Sequence, residues 1–200
     1  MVRNQVENKK IIAVTGGIGS GKSTVLTILK QKGYLVISSD EIVSDLYKNR
    51  SFLRSLKKLF PSAVKGFFRP VADKKIISDV VFKDEKKRLE LNALIHPKVI
   101  ETGFRKANES EERIAFMEVP LLFEGNFQKE FDKIIVVMRD KSARIESVKK
   151  RSNLSESEII ERINAQIDYE TLDKTNYLVI NNDQTEKELS SQVDNLLKTI

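Results

Sequence analysis

The sequence predicts an α/β fold in which a five-stranded parallel sheet carries an inserted helical subdomain and a helical lid. Short apolar runs alternate with helical patterns, a glycine-rich loop lies between the first run and the first helix, and the runs are unevenly spaced. Alternation of this kind is typical of parallel sheets that helices cover on both faces. We expect residues 1–200 to form a single domain on this plan.

The five predicted strands are short and almost wholly apolar. They are Ile11–Thr15, Tyr34–Ser38, Ile114–Val119, Ile134–Met138 and Tyr177–Ile180. Continuous apolar runs indicate strands buried on both faces. Right-handed crossovers then leave few topologies open.

The first strand leads into a phosphate-binding loop. Gly16 to Ser23 read GGIGSGKS, which fits the pattern G-x-x-x-x-G-K-[ST]. A buried strand before the loop and helical spacing after it argue against a chance glycine-rich turn. Backbone N–H groups in such a loop, with the helix N-terminus, bind phosphate oxygens. The candidate nucleotide-binding residues are Gly17, Ile18, Gly19, Ser20, Gly21, Lys22, Ser23 and Thr24.

Two side chains of the loop have chemical roles of their own. The ammonium of Lys22 is expected to bridge the β- and γ-phosphates of a bound nucleotide. The hydroxyl of Ser23 is the candidate ligand for Mg²⁺. The loop therefore predicts a nucleotide that carries β- and γ-phosphates, with Mg²⁺ as cofactor.

The second strand ends close to an acidic residue, Asp40. Gly33 precedes this strand and is a plausible C-cap of the first helix. Ligands of open parallel sheets bind at the carboxyl ends of strands, so Asp40 is a candidate proton acceptor. It could equally cap the helix that begins at Glu41. The sequence leaves both interpretations open.

About 75 residues separate the second strand from the third, which is more than one crossover helix requires. Apolar residues at helical spacing fill this stretch, and Pro61, Gly66, Pro70 and Pro97 punctuate it. We expect residues 41–112 to form an inserted helical substrate-binding subdomain. The single histidine, His96, has apolar neighbours that favour a buried or capping position over a catalytic one.

The third strand ends at a second acidic residue, Glu118. Its position makes it a further Mg²⁺ candidate, acting through water, although glutamate matches this role only loosely. Glu124 follows a few residues later, in the segment Val119–Glu124.

A charged insertion, residues 139–168, follows the fourth strand. Ser155 to Glu158 form a capping-box pattern before an apolar helix face. Arginine-rich helices next to a phosphate loop are typical of a kinase lid, which excludes water and brings cations to the transferred phosphoryl group. Arg151 is the preferred phosphate contact and Arg144 the second. Because the charge is mixed, an ordinary solvated helical hairpin remains the alternative.

The last segment, Thr185–Ile200, predicts a closing helix with one apolar face.

Composition limits the classes of function that fit the chain: the net charge is +6, the basic residues are spread among acidic ones, and cysteine is absent. Met1 to Lys10 are too polar for a signal peptide, and every apolar run falls far short of the ~20 residues of a membrane helix. We therefore expect a cytoplasmic protein without nucleic-acid or membrane partners.

Several motifs, in order along nearly the whole chain, resemble those of the dephospho-coenzyme A kinases. The segments are TGGIGSGKST, Asp40, LNALIHP at 91–97, VPLLFE at 119–124, RINAQ at 162–166 and the pair Asn181–Asn182. This resemblance implies a P-loop kinase core. It also implies ATP-dependent phosphorylation of the ribose 3′-hydroxyl of dephospho-CoA, the last step of coenzyme A biosynthesis.

The resemblance also implies roles for particular residues. The family usually has Asp-x-Asp after the second strand, whereas here Ser38 takes the first position, which leaves Asp40 as catalytic base. Lys22 and Arg151 complete the implied catalytic set. Arg144 and Asn182 join the ATP contacts, and the implied substrate contacts are Asp40, His96, Leu122, Glu124 and Arg162. We expect a monomer or a small homo-oligomer.

Other classes of function fit the sequence less well. Another small-molecule kinase would share the loop and lid but lack the 91–97 and 119–124 segments. A regulatory GTPase would carry Asn-Lys-x-Asp after a late strand, and the sequence has no such motif. A nucleic-acid-dependent ATPase would show an Asp-Glu pair after the third strand and a basic stripe, and neither is evident.

Overall fold

The computed structural model describes residues 9–66 and 68–200. The polar N-terminal segment considered above therefore lies mostly outside the described residues. In the described chain the strands are β1 (Lys10–Thr15), β2 (Leu35–Ile37), β3 (Val64–Lys65), β4 (Val71–Ala72), β5 (Ile114–Glu118), β6 (Lys133–Met138) and β7 (Leu178–Asn181). The α-helices are α1 (Lys22–Gln31), α2 (Ser39–Leu46), α3 (Arg50–Leu59), α4 (Lys74–Lys83), α5 (Glu85–Glu109), α6 (Lys141–Arg151), α7 (Glu156–Asn164) and α8 (Glu186–Leu197).

Five of these strands form one sheet in the order β2-β5-β1-β6-β7. All neighbouring strands in it run parallel. The predicted α/β class and five-stranded parallel sheet are therefore confirmed, with strand ends that differ from the predicted ones by at most one residue. In this arrangement β1 is the central strand, so the loop that follows it leaves from the middle of the sheet's carboxyl edge.

The described chain divides into two compact units. The first contains residues 9–37 with Lys106–Ile200, and the second contains Ser38–Arg105. The predicted insertion, 41–112, overlaps the second unit, and its substrate-binding role stays a prediction.

The sheet unit has a core of aliphatic side chains. Ile12, Val14, Ile135 and Val137 are fully buried on β1 and β6, and residues of α1 and α8 pack against them. Helix α8 buries Leu189, Val193 and Leu196 as its apolar spacing predicts. Gly33 follows α1 with φ 88°, a left-handed conformation that glycine adopts without strain, so the predicted helix end is confirmed.

The second unit has a separate core. It contains Phe52, Leu53, Leu56, Phe60, Ala63, Val64 and Ile77. Two features of this unit were not predicted. The strands β3 and β4 form a short antiparallel hairpin, and Pro97 lies inside the 25-residue helix α5 instead of ending a helix.

The segment predicted as a lid, 139–168, contains two helices, α6 and α7, and its role as a lid stays a prediction. Ser155 accepts a hydrogen bond from the Glu158 backbone while the Glu158 side chain accepts from the Ser155 backbone, so the predicted capping box is present. Val148, Ile159 and Ile163 form a small core, and Ile18 of the phosphate loop packs against it. The lid helices and the phosphate loop are therefore in apolar contact.

Among the described helices, none combines the length and the apolar character that a membrane crossing requires.

Candidate active site

The phosphate loop connects β1 directly to α1. Gly21 stands before the helix with φ 91°, and the backbone N–H groups of Thr24 and Val25 both donate to its carbonyl oxygen. Ser20 N–H donates to Gly17 O at 3.1 Å, which closes a tight turn inside the loop. This geometry presents the N-terminus of α1 and its positive dipole end to an anion.

Lys22 is the first residue of α1. Its ammonium donates to Gly16 O at 2.7 Å and to Gly17 O at 3.1 Å. These two carbonyl contacts hold the ammonium of Lys22 over the loop. In a nucleotide complex, phosphate oxygens would replace the carbonyl oxygens as its acceptors. The side chains of Ser23 and Thr24 are exposed at the next two positions of the helix.

Arg144 of α6 brings the lid to this loop. It is buried, its Nε donates to Ile18 O at 2.9 Å, and its guanidinium lies so close to Gly17 that a Cβ there would clash with it. Burial lowers the pKa of Arg144, and Glu170, Tyr169 and Asp168 oppose that shift. An arginine pKa is ordinarily so high that the guanidinium stays charged at neutral pH.

The segment after α7 makes further contacts with the loop. The Ile18 N–H donates to Gln166 Oε1 at 2.7 Å. The hydroxyl of Tyr169, a buried residue, lies 3.3 Å from Thr15 Oγ1. The Ile167 N–H donates to Glu124 Oε1 at 3.1 Å, which ties this segment to the chain after β5.

Asn182 supports the loop from the other side. Its side-chain amide donates to Ser20 O at 2.9 Å, and it lies so close to Gly21 that only a glycine fits there. The next residue, Asp183, accepts a hydrogen bond from the Asp140 N–H at 2.8 Å, immediately before α6. Asn182 was predicted as an ATP contact, and here its amide supports the loop backbone.

A polar cavity of about 340 Å³ lies between α6 and the segment after α7. Lys141 and Arg144 line it from one side, and Asp168 and Glu170 are among the residues that complete its wall. Arg144 therefore lines this cavity and also contacts the phosphate loop.

The third-strand candidates occupy different environments. Glu118, the last residue of β5, pairs in register with Val14, two residues before the loop begins at Gly16. Leu122 is fully buried, so its side chain belongs to the protein interior in this structure. The Oε1 atom of Glu124 accepts a hydrogen bond from Ile167 N–H. Its Oε2 atom is buried and has no hydrogen-bond partner among the described residues.

Two predicted arginine contacts are exposed. Arg151 is the last residue of α6, and Arg162 lies near the end of α7. The structure therefore brings Arg144 to the phosphate loop but leaves Arg151, the preferred candidate, on the surface. The roles of both arginines stay predictions.

Asp40 and His96 belong to the second unit. Asp40 is exposed in the first turn of α2, whose N-cap is Ser38: the serine side chain accepts from Glu41 N at 3.4 Å. The interpretation of Asp40 as the helix cap is therefore wrong, and its carboxylate is not used for capping. His96 is half-buried on α5, and burial lowers its pKa.

Some residues at the loop were not identified from sequence. The RINAQ motif at 162–166 contains Gln166 but assigns it no contact, and no motif contains Tyr169. Their contacts with Ile18 and Thr15 join positions 148 and 154 residues apart, and no local pattern signals such pairs.

Comparisons with known proteins agree with this geometry. A family model described as dephospho-CoA kinase matches residues 10–188. A dephospho-CoA kinase of Helicobacter pylori is 32% identical over 196 residues, covering 96% of this chain and 98% of the relative. One of Thermus thermophilus is 32% identical over 179 residues, covering 90% and 86%.

Solved structures give the same result. The crystal structure of TT1252 from Thermus thermophilus superposes with a TM-score of 0.81 at 32% identity, covering 96% of this chain and 98% of the other. A dephospho-CoA kinase from Campylobacter jejuni has a TM-score of 0.66 at 25% identity, covering 95% and 96%. The chain belongs to the dephospho-CoA kinase family.

Proposed function

We propose that this chain transfers the terminal phosphoryl group of ATP to the ribose 3′-hydroxyl of dephospho-CoA, which yields coenzyme A and ADP. Family membership supports the ATP-dependent phosphorylation of dephospho-CoA, a step of coenzyme A biosynthesis. The single observation that carries the proposal within the structure is a phosphate loop with Lys22 on one side and the lid residue Arg144 against it.

The phosphate loop supplies most of the charge stabilisation. Backbone N–H groups at the start of α1 bind phosphate oxygens, and Lys22 leaves the carbonyls of Gly16 and Gly17 for the β- and γ-phosphates. Arg144, already at the loop, adds a second cation as negative charge moves towards the leaving oxygen. Arg151 and Arg162 are the further lid cations that closure would bring in.

Asp40 is the proposed base. Its carboxylate is exposed and lies shortly after the end of β2. Because Ser38 caps α2, the carboxylate of Asp40 is not engaged as the helix cap. The substrate oxygen attacks the γ-phosphorus, the bond from that phosphorus to the β,γ-bridging oxygen breaks, and Asp40 takes the hydroxyl proton. Glu118 is the next candidate for this role.

Mg²⁺ bound with the nucleotide neutralises phosphate charge during transfer. The donors available here are oxygens, the class that Mg²⁺ prefers: the exposed hydroxyl of Ser23 and, through water, the carboxylate of Glu118. The described residues contain no group of three or more acidic or histidine side chains arranged for a metal. That donor set fits an ion held chiefly by ATP.

The remaining substrate contacts and the cellular setting are also proposals. Residues 41–112 would bind dephospho-CoA with His96, and Glu124 would contribute its buried Oε2, which has no hydrogen-bond partner among the residues that the structure describes. The absence of cysteine supports a cytoplasmic location, and the mixed charge supports a protein without nucleic-acid partners. We propose a monomer or a small homo-oligomer.

A direct assay tests the function. Purified protein is incubated with ATP, Mg²⁺ and dephospho-CoA, or with a nucleoside panel in place of dephospho-CoA, and products are identified by mass spectrometry. We expect coenzyme A and ADP in equal amounts. Phosphorylation of a nucleoside in preference to dephospho-CoA would overturn the proposal.

A further inference from the structure

We infer that Tyr169 is a positioning residue for ATP binding, acting through the first residues of the phosphate loop. This inference rests on the proposed use of that loop for ATP. It goes further because it assigns a function to a tyrosine that follows the lid helices and that no motif identifies.

The surroundings of Tyr169 fix its side chain firmly. Only 3% of the residue is exposed, and its ring makes an edge contact with Phe123 at 6.0 Å between centroids. Phe123 makes a similar contact with Tyr177 at 5.3 Å. The two tyrosines therefore share one aromatic neighbour on the segment after β5.

The hydroxyl of Tyr169 reaches the loop, which distinguishes it from Tyr177. It lies 3.3 Å from Thr15 Oγ1 at the end of β1, and Thr15 is the residue directly before Gly16. Burial raises the pKa of Tyr169 to about 12, so the hydroxyl stays protonated at neutral pH. A neutral hydroxyl can donate or accept, so either hydroxyl of the Tyr169–Thr15 pair can be the donor.

The position of Gly16 makes this contact matter for phosphate binding. Gly16 has φ 147° and no room for a Cβ beside the Val137 carbonyl, so the chain turns sharply where β1 becomes the loop. Its carbonyl oxygen also accepts from Lys22. The tyrosine hydroxyl thus holds Thr15, the neighbour of Gly16, and Gly16 in turn sets the direction of the loop entry and accepts from the phosphate-binding lysine.

Tyr169 belongs to a segment that makes several hydrogen bonds with other parts of the chain. Gln166 accepts from Ile18 N–H, and Glu124 accepts from Ile167 N–H, so the segment 166–169 is fixed to both the loop and the chain after β5. A buried hydrogen bond in such a segment orders its partners before the ligand arrives, which reduces the entropy lost on binding.

The test uses Tyr169→Phe, which keeps the ring and removes only the hydroxyl. Affinity for a non-hydrolysable ATP analogue, the KM of each substrate, and the melting temperature are measured on the full-length protein. Tyr177→Phe is the matched control. Thr15→Val and the double variant complete a cycle that measures coupling between the two hydroxyls.

We expect Tyr169→Phe to weaken analogue binding by roughly five- to tenfold, the usual effect of one buried hydrogen bond. The KM of dephospho-CoA should not change, Tyr177→Phe should match the wild type, and the double variant should bind no more weakly than either single variant. Unchanged analogue affinity, equal losses for both substrates, or additive effects of the two substitutions would each overturn the inference. If the wild-type protein binds the analogue but makes no coenzyme A, the proposed function fails while the affinities still decide the role of Tyr169.

Discussion

The ammonium of Lys22 hydrogen-bonds two carbonyl oxygens of its own loop, and nucleotide phosphates would compete for the same donor. No other lysine belongs to the loop motif. We expect Lys22→Ala to lower turnover by a few hundredfold, because losing one preorganised charge contact costs on the order of 3–4 kcal/mol in the barrier. Steady-state assays and circular dichroism check this, with Lys30→Ala, an exposed lysine of the same helix, as control. A folded Lys22→Ala protein with normal turnover would contradict the assignment of the loop.

Asp40 and Ser38 lie at the same helix start, and we predict different functions for them. Because Ser38 is the cap, Asp40→Asn should leave the melting temperature nearly unchanged while turnover falls by roughly a hundredfold to ten-thousandfold, as for a lost general base. Ser38→Ala should show the opposite pattern, a loss of about 1 kcal/mol in the free energy of unfolding with turnover largely retained.

Glu41→Gln is the control for Asp40→Asn, since Glu41 is also exposed in the first turn of α2. Turnover and melting temperature are measured on all three variants. Normal phosphorylation of dephospho-CoA by Asp40→Asn would remove Asp40 from the mechanism and direct attention to Glu118.

At the scale of elements, the lid helices α6 and α7 contact the phosphate loop through Ile18 and Arg144 while their outer faces are charged. Small packed elements with short apolar cores open readily, as lids must. We expect residues 139–168 to gain amide-exchange protection when an ATP analogue and dephospho-CoA bind together. Helix α8, buried against the sheet core, is the internal reference. Equal protection of 139–168 with and without ligands would indicate a static hairpin.

Local patterns predicted most elements of the sheet unit. Apolar runs identified five strands, and the Ser155 capping box and Gly33 marked helix ends, because each depends on residues close in sequence. The β3–β4 hairpin has strands of two residues, too short to show a period. Pro97 predicted a break, yet a helix can continue through proline when its other contacts compensate for one lost hydrogen bond.

The candidate site was predicted less completely than the fold. Lys22 and the loop follow from a motif, whereas the choice of Arg144 over Arg151 at the loop depends on how α6 packs. The same limit applies to Asp40, since only the structure shows that Ser38 caps α2. Long-range contacts of this kind carry no signal in a single sequence.

For the whole molecule, the two compact units have cores with no residue in common. Leu56 and Leu189 form a matched pair, because each is a leucine at most 1% exposed, one in each core. Replacing a buried leucine by alanine typically costs about 2–5 kcal/mol through lost contacts and a cavity. The two substitutions therefore weaken the cores separately and by comparable amounts.

We expect Leu56→Ala to lower amide-exchange protection mainly within 38–105 and Leu189→Ala to lower it mainly within 9–37 and 106–200, because each cavity lies in one core. Under the proposed division of substrates, Leu56→Ala should raise the KM of dephospho-CoA more than that of ATP, and Leu189→Ala should do the reverse. Hydrogen exchange with mass spectrometry and initial-rate kinetics measure both effects. If either variant lost protection uniformly along the chain, the two cores would unfold as one, and the assignment of dephospho-CoA to residues 41–112 would lose its structural basis.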